Sequence, residues 1–215
     1  MDNAKRLYKH AMRLFGNGRP ESYSELFSLM SQAADAGSVE AIGALGTFYD
    51  YAIGTKKSAS QAVKHYRKAA LLGNHDAQYN LGLALYEGRG VKRDQKEAAR
   101  WFRKAAGEGL PEALHQLGYC YRYGHGVRKN QAKGLELEMQ AAKSGYSEAQ
   151  FSVGVCYSRG EGVPSDPKEA LKWFLKAAKH GHKDAAHNVA HFYETGRGVR
   201  EDKKRAEFWY SRAKQ

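Results

Sequence analysis

The chain has 215 residues, enough for one ordinary domain or two small ones, and 42% of them are apolar, which excludes a disordered chain. No stretch approaches the ~20 consecutive apolar residues of a membrane span. Two cysteines exclude a disulfide framework. The formal net charge of +12 favours acidic partners, such as nucleic acid, anionic lipid or an acidic protein surface, without choosing among them.

The first 37 residues are the least regular part of the sequence. The opening MDNAKRLYKHAMRLF has no apolar run typical of a secretory signal. Its basic character leaves an organelle transit peptide as an alternative, but Asp2 and the repeat register favour a structural helix. Gly16-Asn17-Gly18, Ser22 as a helix cap and a closing Gly37 loosely match the later repeats. We therefore predict a degenerate helix pair over 1–37, in a cytoplasmic protein for which export by a signal-independent route stays open.

From residue 38 onwards the sequence repeats every 36 residues. The repeats are delimited by the glycines that end an Ala-Ala-x-x-Gly pattern, namely Gly37, Gly73, Gly109, Gly145 and Gly181. Cutting after these glycines gives the units 38–73, 74–109, 110–145, 146–181 and 182–215, in which position 1 is the first residue. A fixed period of this length is typical of a solenoid, whose terminal units are atypical because one face meets water. We predict about twelve helices in one continuous domain over 1–215.

Each unit carries the pattern of two helices. Positions 4, 8, 9 and 12 form one apolar face, on which glycine at position 9 lets a neighbouring helix approach closely. Gly-x-Gly-Val, as in 88–91, ends the first helix, because glycine accepts the positive φ of a helix end. Ser, Asp or Asn at position 21 caps the second helix. Cys120 and Cys156 share one position and are predicted to be small buried apolar residues.

The resulting pattern, A-x-x-x-L-G-x-x-Y-x-x-G-x-G-V-x-x-D-x-x-x-A-x-x-W-x-x-x-A-A-x-x-G, resembles the Sel1-like repeat, which is close to the tetratricopeptide repeat. The resemblance covers 38–215 well and 1–37 loosely. It implies an all-α, right-handed α-solenoid of helix-turn-helix repeats whose first helices line a concave face. It also implies a scaffold or adaptor role and offers no shared catalytic residues. We predict that the chain is not an enzyme and needs no cofactor. Cysteine-rich members described as penicillin binders differ from this chain, which lacks their paired cysteines.

In that geometry, first-helix side chains at positions 3, 6, 7, 10, 13 and 14 face the concave groove. Aromatic residues and arginine dominate binding energy at interfaces, and Asn and Gln can hydrogen-bond a peptide backbone. We therefore predict that the groove binds a protein or peptide segment. The predicted contact residues are Tyr79, Asn80, Tyr86, His115, Gln116, Tyr119, Arg122, Tyr123, Phe151, Arg159, His187, Asn188 and His191. The alternative for some of these rings, Phe151 above all, is ordinary packing between units.

Basic side chains concentrate elsewhere, on the second helices and in the loops. They are Lys64, Lys68, Arg100, Arg103, Lys104, Lys172, Lys176 and Lys179 on the helices, and Lys92, Arg93, Arg128, Lys129 and Arg200 in the loops. A solvated convex face explains them simply. The alternative function is binding of an anionic partner, either nucleic acid or a membrane surface, through this face. Steep weakening of binding with salt would support it.

One pair of side chains has the spacing of a metal site. His187 and His191 lie four residues apart on a first helix, a weak candidate for zinc, with Glu194 or His182 as a third ligand. Asn188 stands where a metalloprotease would have its general base. The Gly-x-Gly-Val copies are not phosphate loops, since no Lys-Ser/Thr follows them. We predict no catalytic residues.

Overall fold

A computed structural model describes residues 3–16 and 22–214, and these ranges contain twelve helices and no strand. The helices are α1 (Asn3–Gly16), α2 (Tyr23–Asp35), α3 (Val39–Tyr51), α4 (Ala59–Leu71), α5 (His75–Glu87), α6 (Gln95–Gly107), α7 (Pro111–Tyr123), α8 (Gln131–Lys143), α9 (Ser147–Arg159), α10 (Pro167–Lys179), α11 (Lys183–Thr195) and α12 (Lys203–Ala213). The predicted all-α architecture of 36-residue helix pairs is confirmed. Of the features predicted for the first pair, Asp2, Asn17 and Gly18 lie outside the described residues.

The helix ends follow the predicted chemistry in the five regular repeats. Asp94 and Asn130, at position 21, cap α6 and α8 by accepting hydrogen bonds from the backbone N–H groups three residues later, at 2.9 and 3.0 Å. The first helix of a repeat ends at a residue with positive φ, such as Gly88 at 79°. Ala52 takes this conformation in the first regular repeat, at 59°. Ser22 precedes α2, but its side chain makes no capping hydrogen bond to that helix, unlike the prediction.

Glycine at position 9 is required by close helix contact, as predicted. A Cβ atom on Gly82 would lie 2.6 Å from the Phe102 ring, and one on Gly154 would lie 2.6 Å from the Phe174 ring. Each ring belongs to the second helix of the same repeat, at position 29. The glycine therefore lets a large ring pack closely between the two helices of a pair.

The second glycine of Gly-x-Gly has a role that the sequence did not reveal. Gly90 has φ 71°, and a Cβ atom there would lie 2.3 Å from the backbone carbonyl group of Ala59, the first residue of α4. Gly198 lies against Pro167, the first residue of α10, in the same way. The motif therefore ends one helix and also packs its loop on the second helix of the preceding repeat.

The chain divides into two compact units, Met1–Glu108 (unit 1) and Gly109–Gln215 (unit 2). Unit 1 buries aromatic and aliphatic side chains such as Tyr66, Leu81 and Phe102. Unit 2 has a core that includes Phe174, Val189 and Phe192. The single domain over 1–215 stays a prediction. No helix in the described ranges has the length and apolar character needed to cross a membrane.

Candidate functional site

The candidate site consists of side chains on the first helix of each repeat, at positions 6, 7, 10, 13 and 14, here called the first-helix face. In unit 1, Tyr79 and Tyr86 are half-buried, and both rings lie on the core ring of Phe102, at centroid distances of 6.0 and 6.5 Å. The Nε of Arg93 donates to the carbonyl oxygen of Tyr86 at 3.0 Å. Asn80 lines a polar cleft of about 170 Å³. These side chains therefore combine packing with partial exposure.

In unit 2, three rings on and beside α7 form an aromatic cluster, defined as Tyr119, Tyr123 and His125. The Tyr119 and Tyr123 centroids are 4.6 Å apart, and His125 lies 5.5 Å from Tyr119 and 6.0 Å from Tyr123. Tyr123 is 42% exposed, and the other two are half-buried. The cluster therefore presents aromatic surface in addition to the rings already buried in the core of the unit.

Arg122 does not lie on this surface, which corrects its prediction as a contact residue. Its side chain is only 3% exposed. Its Nη1 donates to both oxygens of Glu138, at 3.1 and 3.0 Å, and its Nη2 donates to Glu161 at 2.6 Å. Nη2 also donates to the Tyr123 hydroxyl oxygen at 3.1 Å. Arg122 therefore supports Tyr123 of the aromatic cluster from the interior of the unit and does not contact a partner itself.

Arg122 turns inward because this repeat replaces a core ring with a carboxylate. Glu138 occupies position 29, where the other regular repeats have tyrosine or phenylalanine, and it is fully buried. Gly134, four residues earlier, leaves the space that Arg122 fills, since a Cβ atom there would lie 2.5 Å from the Cγ of Arg122. A buried carboxylate needs a cation and hydrogen bonds, and Arg122 provides both.

His115, another predicted contact residue, belongs mainly to this buried network. Only 14% of its side chain is exposed, and its Nδ1 lies 3.8 Å from Glu138. Burial lowers the pKa of His115 to about 4, so the ring is neutral at pH 7 and forms no ion pair. Burial raises the pKa of Glu138 to about 7, although Arg122 opposes this shift. Glu138 also accepts a hydrogen bond from the buried thiol of Cys156, at 3.7 Å.

The other predicted residues of unit 2 differ in exposure. Phe151 stacks on His182 at 4.4 Å and lies 5.7 Å from Phe174, so its ring is largely engaged in packing. Arg159 is exposed, and its Nη1 lies 3.7 Å from Glu161. Gln116 and Asn188 are half-buried. These side chains can supply polar contacts around the aromatic cluster.

The predicted histidine pair lies on the surface of α11. His187 meets the edge of Tyr210 at 5.3 Å, and His191 Nδ1 lies 3.7 Å from Glu194. Within the described ranges, no group of three or more His, Cys, Asp or Glu side chains is placed to hold a metal ion. The pair thus lacks the third ligand that the zinc hypothesis required. Cys120 and Cys156 are both free and buried, as predicted.

Polar contacts between successive repeats were missed in the sequence. Asp50 accepts from Arg89 at 2.6 Å, and Glu161 accepts from Arg122 at 2.6 Å. Both pairs join position 13 of one repeat to position 16 of the next, 39 residues along the chain. Opposite charges at this separation are the signal that could have revealed these contacts.

Comparison with known proteins agrees with the repeat fold. The Sel1 repeat family model matches residues 7–38, 39–74, 75–110, 111–146, 147–182 and 183–215, so it includes the irregular first pair. No curated protein matches the chain significantly.

Solved structures share the fold. A Sel1 repeat protein from Oxalobacter formigenes is 31% identical, with a TM-score of 0.88 over 100% of this chain and 82% of that one. A protective antigen of uropathogenic Escherichia coli with an SLR fold is 32% identical, with a TM-score of 0.91 over 99% of this chain and 46% of that one. This chain thus spans less than half of the antigen. An immunity protein from Pseudomonas aeruginosa, 23% identical over 100% of this chain and 82% of that one, shares the fold with a TM-score of 0.63. The chain therefore belongs to the Sel1 repeat family.

Proposed function

We propose that this chain is a non-catalytic scaffold that binds a protein or peptide segment through the first-helix face. Repeats of this family generally mediate protein–protein interaction. The observation that carries the proposal is the aromatic cluster of unit 2, in which Tyr123 is 42% exposed beside the half-buried Tyr119 and His125. Tyrosine is among the residues that contribute most to binding energy at protein interfaces.

Tyr123, within the aromatic cluster, is also held in place by a hydrogen bond before a partner arrives. Arg122 donates to the Tyr123 hydroxyl oxygen, and the guanidinium is itself fixed by Glu138 and Glu161. A side chain that is already ordered loses less conformational entropy on binding, which increases affinity. This arrangement supports the aromatic cluster as the centre of the contact surface.

A cation beside the aromatic cluster favours an acidic partner. Arg159 is 66% exposed, and it lies 3.7 Å from Glu161, whose other oxygen binds Arg122. The exposed guanidinium is thus linked to Tyr123 through Glu161 and Arg122. Tyrosine rings with a nearby arginine suit a segment that carries both apolar and acidic side chains.

The test compares two surfaces of unit 2 in pull-down followed by calorimetry with the captured partner. The double variant Tyr119→Ala, Tyr123→Ala should weaken binding by about 30- to 1000-fold, the range expected when interface anchors are removed. Phe208→Ala on α12, a 55% exposed ring outside the first-helix face, is the matched control and should bind like the wild type. Unchanged binding by a folded double variant would refute the proposal.

Binding of an anionic partner, nucleic acid or membrane, is the second candidate. The supporting observation is that the predicted basic side chains of the second helices and loops, such as Lys64, Arg100 and Lys172, are exposed. Affinity for DNA or for anionic vesicles should then fall steeply between 50 and 200 mM salt, on the order of 10³-fold for about six contacts. Affinity that is indifferent to salt would exclude this candidate.

We also propose a cytoplasmic location for the chain. The two cysteines are free and buried, which suits a reducing compartment. Fusion of the full chain to a fluorescent protein, followed by cell fractionation, would test the location. Recovery outside the cytoplasm would contradict it.

A further inference from the structure

Position 5 of the first helix contacts the preceding turn where it is a glutamine. Gln78 and Gln150 occupy this position in two repeats, where their side-chain amides donate to the carbonyl oxygens of Ala70 and Ala142 at 3.2 and 3.1 Å. Both glutamines are buried. Ile42 and Leu114, the equivalent residues of two other repeats, are buried as well. A glutamine side chain thus fills the turn in two repeats.

The last repeat differs, because Ala186 takes this position. Its methyl group cannot reach the carbonyl of Ala178, the counterpart of Ala70 and Ala142 in the preceding turn. A cleft of about 300 Å³ lies here in unit 2. Its lining comprises Ala178, Lys179, Gly181, His182, Lys183, Ala186 and Arg212.

The cleft is rich in positive charge. Lys179, Lys183 and Arg212 all line it, and all three are exposed. None of the three forms an ion pair with another residue in the described part of the chain. Three cations around one cleft repel each other, so an anion between them would be stabilised. The amino-terminal end of α11 adds a partial positive charge to the same side.

Two carboxylates lie nearby but outside this cleft. Glu148 and Asp184 line a neighbouring cleft, which shares Gly181, His182 and Lys183 with the first. The carboxylates therefore act on one side of Lys183, whereas Lys179 and Arg212 lie only in the first cleft. The separation leaves the Ala186 cleft with an excess of positive charge.

We propose that the Ala186 cleft binds an oxyanion, namely a carboxylate or phosphate group on a peptide partner. The basic side chains supply the charge, arginine can hold two oxygens at once, and Ala186 leaves the space that glutamine fills elsewhere. Only the identity of the carrier as a peptide rests on the function proposed above. Oxyanion binding by the cleft can be measured without that partner.

The experiment titrates the full chain with inorganic phosphate and, separately, with acetate, and follows backbone amide signals by NMR. The amide signals of Lys183 and Ala186 are expected to shift saturably. Ala186→Gln should weaken this binding at least tenfold, because the new amide fills the cleft as Gln150 fills its own turn. Lys204→Gln removes a cation that lies outside the cleft on α12, so it should bind like the wild type.

The two anions distinguish the source of the oxyanion. Saturation by acetate indicates acidic residues of the partner, and saturation by phosphate alone indicates a phosphorylated residue. No saturable shift with either anion, or equal binding by Ala186→Gln, would overturn the proposal. The double variant Tyr119→Ala, Tyr123→Ala should still bind the anion, so failure of the cleft and failure of the first-helix face are separable.

Discussion

The same inter-repeat contact is built with opposite charges in the two units. In unit 1, the buried residue of the pair is the anion Asp50, which accepts from the Tyr66 hydroxyl and from a partly exposed Arg89. In unit 2, the buried residue is the cation Arg122, which lies between Glu138 and Glu161. The repeat thus fixes the geometry of the contact but leaves the sign of the charge free.

The two contacts also differ in how much charge they remove from water. Arg89 keeps 39% of its side chain exposed, so water still solvates one partner of the unit 1 pair. In unit 2, Arg122 is 3% exposed and its partners Glu138 and Glu161 are 0% and 19% exposed, so little of this contact is solvated. Desolvation of both ions is costly, and loss of one partner leaves the other buried alone. The stability of unit 2 should therefore be more sensitive than that of unit 1 to replacement of one charged residue of this contact.

The largest effect is expected from Arg122→Met, which leaves Glu138 buried without its cation. The expected loss is about 3–5 kcal/mol in the free energy of unfolding, measured by urea denaturation at pH 7.5. Asp50→Asn should lower the free energy of unfolding by less, because water can solvate the Arg89 side chain. The double variant Arg122→Met, Glu138→Phe should recover most of the loss by restoring a core ring. Equal losses for Arg122→Met and Asp50→Asn would refute the distinction between the units.

The second prediction concerns pH and is specific to unit 2. The pKa of His115 is about 4 in the folded chain and about 6.5 when unfolded, so its contribution to stability is complete above pH 6.5 and is lost as the pH falls through 4. The pKa of Glu138, about 7, acts in the opposite direction, since its contribution is lost as the pH rises from about 4.5 through 7.

Replacement of His115 should separate these two effects. On lowering the pH from 7.5 to 4.5, the free energy of unfolding of His115→Gln should change more favourably than that of the wild type, by about 2.5 kcal/mol. Urea unfolding at the two pH values measures the difference. Tyr79→Phe, at the equivalent position of unit 1, is the control and should leave the pH dependence unchanged. If His115→Gln and the wild type lose stability in parallel, His115 is not buried in the neutral form.

A smaller effect is expected in unit 1 from Tyr66→Phe. This variant keeps the core ring but removes the hydroxyl that donates to Asp50 at 3.1 Å. Because Arg89 still binds Asp50, the expected loss is about 1–1.5 kcal/mol, the net value of one hydrogen bond. Thermal and urea unfolding would measure it. A loss as large as that of Arg122→Met would mean that the two contacts contribute equally to the free energy of unfolding.

The smallest effect should be a gain from Ala186→Gln. The new side chain can donate to the carbonyl of Ala178, as Gln150 donates to Ala142 in the same unit. The expected stabilisation is about 0.5–1.5 kcal/mol in urea unfolding at low salt and without phosphate. Destabilisation would show that the turn of the last repeat cannot take the conformation of the turn before it.

The sequence predicted the helix pairs, their caps and the close approach at position 9, because each depends on residues that recur every 36 positions. Gly82 and Phe102 show this well, since Gly82 predicts a close helix contact only because glycine recurs at position 9 in other repeats. Arg122 was misplaced for the same reason. Its position is at least partly exposed in three of the five regular repeats, and Arg122 turns inward because Glu138 replaces a core ring in its own repeat. A single departure in one repeat, such as this one, depends on three-dimensional contacts that periodicity does not contain.

The loop contact at Gly90 also determines where this chain can accept an insertion. A Cβ atom there would collide with the backbone of the preceding repeat, so added residues would separate two neighbours. The closing glycines Gly73, Gly145 and Gly181 have open space around them. A duplicated unit that begins and ends at these turns should therefore be tolerated better than an insertion in the Gly-x-Gly loops. The short turn that closes a repeat is therefore the natural boundary for adding or removing repeats. The longer loop within each repeat holds that repeat against the preceding one.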